Sequence, residues 1–242
     1  MTLNLTRALA GALCLSGFFL LACWGNPSRE GVTPLQAHMY AHYDRAEAVH
    51  QSLMHGEMGT AQESAEWIAS HSEIHDIPPG TRRYDDAVRA FAGRVAESTR
   101  LKDAAIAAAR MGSSCGDCHQ AQQVDPRFLM GTAPPGGGGP RAEMARHVWA
   151  ADRMWVGLLG PSDAAWDEGA RGFQGGWLDT QEVLVDPENR ARIRALVRHV
   201  YDLGARAVDA TGAQERAEIY GEFLNTCADC HSMTLVQITG MR

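Results

Sequence analysis

The stretch Ala107-Ala108-Ala109-Arg110-Met111-Gly112-Ser113-Ser114-Cys115-Gly116-Asp117-Cys118-His119 decides the reading of this chain. An alanine-rich run enters a Cys-x-x-Cys-His pentapeptide, and the pentapeptide returns as Cys227-Ala228-Asp229-Cys230-His231. Cys-x-x-Cys-His is the attachment pattern of a c-type haem. Its two sulfurs bond to the haem vinyl positions, and the histidine that follows is placed to take the iron from the proximal side. A single copy also reads as a zinc half-site or a redox dithiol. Zinc needs two further ligands at matching spacing, and a thioredoxin-like dithiol sits in a βαβ pattern that is absent here. Two copies behind an export signal point to two covalent haems. One is expected on Cys115 and Cys118 with His119, the other on Cys227 and Cys230 with His231.

The export signal is read at the N-terminus. Arg7 gives a short basic region, and residues 8–21 are apolar but too short and too poorly flanked for a membrane span. Leu20-Leu21-Ala22-Cys23 resembles a bacterial lipobox. In such signals the peptide is cut before the cysteine, which is then lipid-modified. Residues 1–22 are therefore expected to leave, Cys23 to carry the lipid, and residues 23–33 to act as a tether. An ordinary signal peptide with a chance cysteine is the plainer alternative. Cysteine use then closes: Cys14 leaves with the signal, Cys23 is the anchor, and the remaining four belong to the two motifs. No pair is left for a disulfide, although an exported protein is free to form one.

The chain of 242 residues has a formal charge of −7, which becomes −8 once Arg7 is lost. Residues 23–133 hold 14 acidic and 10 basic residues, and residues 134–242 hold 15 and 11, so each half is −4. Lys102 is the only lysine. Phosphate recognition needs clustered Lys and Arg, so nucleic acid is excluded as the expected partner.

Gly131-Thr132-Ala133-Pro134-Pro135-Gly136-Gly137-Gly138-Gly139-Pro140 divides the chain. Glycine lacks a Cβ restraint and proline cannot continue a helix, so 134–140 is read as a linker between 34–133 and 141–242. The halves look like a repeat. Met39-Tyr40-Ala41-His42 answers Met144-Ala145-Arg146-His147, Ala92-Gly93 answers Gly204-Ala205, and Thr99 answers Thr211. In the first half Leu35, Met39, His42, Ala46, Val49 and Leu53 step by four and three, one stripe of an amphipathic helix ended near Gly56 and Gly59. Helices are expected over about 60–70, around Val88, Phe91 and Val95, and over about 101–111 running into the motif. In the second half Met144, His147, Ala151, Trp155 and Leu158 form the first stripe, and Ser162 is placed to cap the second helix. Ile193, Leu196, Val197, Val200 and Tyr201 mark a third, and Tyr220, Phe223 and Leu224 a fourth. The expected fold is all-α: a tandem pair of four-helix-bundle haem domains, each separable, joined by the Pro/Gly linker.

The haem-motif helix quoted above resembles the C-terminal haem helix of cytochrome c′ and its low-spin relatives of the c-556 type, and each half resembles a compact version of that domain. The resemblance implies a four-helix bundle with the motif late in the chain. It also implies a first-helix methionine on the iron in low-spin members, and an open distal side that binds small gases such as NO or CO in high-spin ones. Carried onto this sequence, the methionines are Met39 and Met144, with His42 and His147 as alternatives three residues on. The basic residue often found after the haem histidine is missing, since Gln120 and Ser232 stand there.

Other residues carry less. His38, His50, His55, His71 and His75 are read as a solvated surface, because His71 and His75 show no third ligand for a metal. Trp149, Trp155, Trp166 and Trp177 are read as packing against the second haem and the interface between halves. The sequence thus leads to a dihaem cytochrome c that carries single electrons and is not an enzyme. It would be lipid-anchored at the periplasmic or outer face of a bacterial membrane, beside redox partner proteins. Gas binding of the cytochrome c′ type is the alternative. A dihaem peroxidase is disfavoured by length and helical pattern.

Overall fold

The computed structural model describes residues 32–71, 80–136, 138–174, 178–181, 183 and 185–234. The signal segment, Cys23, His75 and Trp177 lie outside the described residues. The chain is all-helical. In order come α1 Pro34–His55, α2 Met58–Ser70, α3 Arg82–Glu97, α4 Leu101–Ala121, α5 Pro140–Leu159, α6 Asp163–Gly172, α7 Arg190–Asp209 and α8 Ala213–Met233, with a short 3-10 turn, Pro187–Asn189, ahead of α7. Among the described residues the only β pairing is an isolated antiparallel bridge between Val185 and Thr234. No described helix is long and apolar enough to cross a membrane.

Local chemistry explains where the helices begin and end. The Thr33 hydroxyl accepts from the Gln36 N–H while the Gln36 side chain accepts from the Thr33 N–H, a reciprocal capping box, with Pro34 at the first helical position. Gly56 closes α1 in the left-handed region at φ 79°, where a Cβ would be strained. Ser162 caps α6 by accepting from the Ala165 N–H at 3.2 Å. Pro140 is the first residue of α5 rather than the last of a linker. The fourth helix of each half does not stop before its motif: α4 and α8 run on through it. Cys115, Cys118 and His119 therefore share one helix face, as do Cys227, Cys230 and His231.

Within each half neighbouring helices pack in sequence, α1 on α2, α2 on α3 and α3 on α4, then α5 on α6, α6 on α7 and α7 on α8. The two motif helices, α4 and α8, also pack on each other. The first helix of each half lies more extensively on the motif helix of the other half than on its own: α1 on α8, and α5 on α4. One buried cluster accordingly runs through both halves, from Val49, Leu53 and Met111 to Trp155, Tyr220 and Phe223. The halves meet through this core and not only through the linker. Two close backbone contacts between the halves require glycine. A Cβ on Gly116 would overlap the Leu158 carbonyl of α5, and one on Gly221 would stand 2.8 Å from the Ile106 Cα where α8 crosses α4. Gly116, a spacer in the motif, is thus also the point where the second half lies against the first.

Candidate functional site

Each motif histidine is aimed by the opposite half. His119 places Nδ1 2.7 Å from the Leu159 carbonyl, at the C-terminal end of α5. The register that pairs Met39 with Met144 pairs Met54 with Leu159. His231 lies with its buried Nδ1 toward that equivalent carbonyl, Met54 of α1, short of good hydrogen-bond geometry. A metal-ligating histidine ordinarily donates its other ring N–H to a carbonyl or carboxylate, which fixes the tautomer and leaves the remaining nitrogen for the metal. His119 has that arrangement: Nδ1 is engaged and Nε2 makes no hydrogen bond with a described residue. The His231 ring stacks on His55 at 5.4 Å, and burial lowers its pKa, with the His55 charge acting in the same direction. A neutral imidazole is the ligand form.

The four motif cysteines are free thiols. Burial pushes Cys115 and Cys227 up to about 12 and Cys230 up to about 11, and raises Cys118 as well. A redox dithiol works through a thiolate at a lowered pKa. The environment here does the reverse. Among the described residues, the converging groups of potential ligands are His38, His42 and His71, and Glu47, His50 and Asp152; no motif cysteine belongs to either.

In the second half the motif faces a narrow apolar cleft that is open to solvent at its mouth. Cys227, Cys230 and His231 line one side. Met144 and His147 of α5 line it too, with Val197 and Val200 of α7 and Met54 from the first half. The structure thus gathers every residue the sequence singled out for this site. His147 is buried, and burial lowers its pKa to about 4, although Glu143 opposes the shift. Its Nε2 lies 3.4 Å from the Tyr201 hydroxyl, which also accepts from the Leu178 N–H at 2.8 Å. Two thiols and an imidazole on one helix face, beside an apolar cleft with a thioether in its wall, fit a haem held by thioether bonds. Tyr201 holds His147 and leaves Met144 as the less engaged of the two distal candidates.

The first half is arranged differently. Met39 is 39% exposed. The α1 stripe is buried only from Ala46 onward; ahead of it the buried residue is His38. His42 is half-buried, with a fully buried Nε2 that has no hydrogen-bond partner among the described residues. The pKa of His42 falls to about 3 through burial, then through His38, His71 and Arg89. Asp85 of α3 is close enough to act electrostatically on Cys115, Cys118 and His38, so the motif and the α1 histidines face a common region.

The reading of the histidine cluster as solvated surface is corrected at two positions. His38 is buried, and His50 is completely so. His50 Nε2 lies 2.7 Å from the Tyr220 hydroxyl, which itself donates to the Ala151 carbonyl at 2.9 Å. The His50 ring stacks on Trp155 at 5.1 Å, and Trp155 lies parallel to Tyr220 at 5.9 Å. Beside them Gln51 donates to Glu47 at 2.8 Å and to Asp152 at 3.0 Å. This polar and aromatic group joins α1, α5 and α8 at the centre of the molecule. Trp155 packs at the interface, as read from the sequence; Trp166 is instead internal to the second half, donating to the Ala207 carbonyl at 2.7 Å. Comparison of the chain with protein-family models, curated proteins and solved structures finds no match.

Proposed function

We propose that this chain is a dihaem c-type cytochrome, exported and lipid-anchored through Cys23, that passes single electrons between partner proteins at a bacterial membrane. Each half would be a compact bundle of the cytochrome c′ and c-556 kind holding one haem. Cys115 and Cys118 would carry the first haem with His119 as proximal ligand, and Cys227 and Cys230 the second with His231. A bound haem supplies a one-electron iron couple, whose potential depends on axial ligand and burial. The chain's own contribution would be to orient His119 against the Leu159 carbonyl of the other half, to set each cysteine pair and its histidine on one helix face, and to supply the apolar wall of the second cleft. Met144 is the distal ligand this reading assigns to the second site, with His147 held off by Tyr201. Met39 is assigned to the first, with His42 as its alternative.

The observation that carries the proposal is the engaged Nδ1 of His119 behind a repeated Cys-x-x-Cys-His: the imidazole is oriented by a backbone carbonyl and its second nitrogen is left for iron. Absorption spectra of ferric and ferrous protein, with and without CO, test it. Six-coordinate spectra unchanged by CO are expected for an electron carrier. Met144→Ala should open one haem to CO and leave the other closed. Ready CO binding by the unaltered ferrous protein at both haems would overturn electron transfer in favour of gas binding.

A further inference from the structure

We infer that His38, His42 and His71 form a binding site for a divalent transition ion of the imidazole-preferring class, zinc or copper, in the first half, built from residues outside both motifs. His38 and His42 stand one helical turn apart on α1, the i, i+4 spacing that puts two imidazoles on one face. His71 reaches them from the C-terminal cap of α2. One ligand nitrogen from each lies within 4.8 Å of the others. In a tetrahedral site with metal–nitrogen bonds near 2.0–2.1 Å these atoms would sit about 3.4 Å apart, so closure asks for side-chain rotation and no movement of helices.

Three features distinguish this group from histidines that merely pack. The rings crowd together, His38 on His42 at 4.0 Å and His71 on them at 5.4 and 5.7 Å, with no hydrogen bond among them. The His42 Nε2 is buried without a partner among the described residues, which costs free energy unless something accepts its lone pair. The ring of His71 is held by stacking on Trp67 at 4.0 Å, and Trp67 is covered in turn by the Arg45 guanidinium at 5.2 Å. Nitrogen-only donors favour zinc and copper over magnesium and calcium, and three protein ligands leave a fourth position for water.

The second half shows that the repeat does not require this arrangement. There the position matching His38 is Glu143, paired with Arg146 at 3.5 Å, and His147 is held by Tyr201. The site is therefore a feature of the first half alone. It does not depend on haem at the motifs. Only one consequence rests on the proposed function: with His42 committed here, Met39 is left as the distal residue for the first haem.

Untagged full-length protein, titrated with Zn2+ by calorimetry and with Cu2+ by electron paramagnetic resonance, tests the assignment, and haem is counted separately by its pyridine complex. One ion per chain is expected, with nitrogen couplings in the copper spectrum. His71→Ala and His38→Ala should each weaken binding by at least about 100-fold, beyond what loss of an outer-shell partner costs. His71→Ala, half-exposed and outside α1, should leave haem content and spectrum unchanged. Absence of a stoichiometric ion would overturn the inference, as would binding that neither variant weakens. So would a His42→Ala protein that binds the ion normally and has a first haem newly open to CO.

Discussion

Replacing Tyr220 with Phe removes one hydroxyl from the centre of the molecule. That oxygen donates to the Ala151 carbonyl at 2.9 Å, so it must accept from His50 at 2.7 Å, which places the His50 proton on Nε2. The His50 Nδ1 lies toward the Glu47 and Asp152 carboxylates, at 3.6 and 3.9 Å. Without the hydroxyl, Ala151 keeps its α5 ladder bond and loses a second interaction of about 1 kcal/mol. His50 is worse placed: completely buried, it keeps an N–H with no acceptor, costing about 1–3 kcal/mol. A loss of about 2–4 kcal/mol follows, a fall in Tm of about 4–16 °C for a chain of this size. Urea unfolding followed by far-UV circular dichroism measures it. Changing His50 to Leu as well should recover part of the loss, because the orphaned donor goes with it. A Tyr220→Phe protein within about 0.5 kcal/mol of the parent would refute the account of a polar group pinning α8 of one half to α1 of the other.

Two further outcomes follow from the structure and a third from the sequence. Gly116→Ala should cost about 1–3 kcal/mol or more by thermal unfolding, since the new methyl meets the Leu158 carbonyl of α5, whereas Gly59→Ala, with open space around it, should not. Acid should destabilise through His147. Its folded pKa of about 4 lies below the ordinary histidine value of 6.5, so the unfolded chain takes the proton first as pH falls. Stability contributed by the neutral ring is present above pH 6.5 and lost down to about pH 4, on the order of 3 kcal/mol in all, and His147→Leu should flatten that part of a stability–pH curve. Cys23→Ser should move the protein from the membrane fraction to the soluble one; a variant that still sediments with membranes would remove the lipid anchor from the account.

Helices were legible because periodicity and caps are local. Gly56 and Ser162 mark helix ends in the sequence, and Ala46, Val49 and Leu53 lie buried as their spacing implies. Both motifs were legible for the same reason. What escaped depends on contacts across the repeat. Gly116 reads as a spacer until α5 is seen to lie on it. His50 reads as surface because its partner, Tyr220, is 170 positions away. His71 lacks a third ligand along the chain, but α1 supplies two through space. An internal repeat predicts two similar halves; it does not predict that each first helix rests on the other half's motif helix. The orienting carbonyl of Leu159 was invisible on that account, since a backbone group leaves no trace in residue type.

The central claim is that both motifs carry covalent haem. Intact-mass spectrometry of the denatured, acid-extracted protein, with a pyridine haemochrome count on the same sample, measures it directly. The account predicts two haems per chain, falling to one in Cys115→Ala/Cys118→Ala and to one in Cys227→Ala/Cys230→Ala. Protein matured in a competent host that holds no covalent haem, or only one, would contradict it.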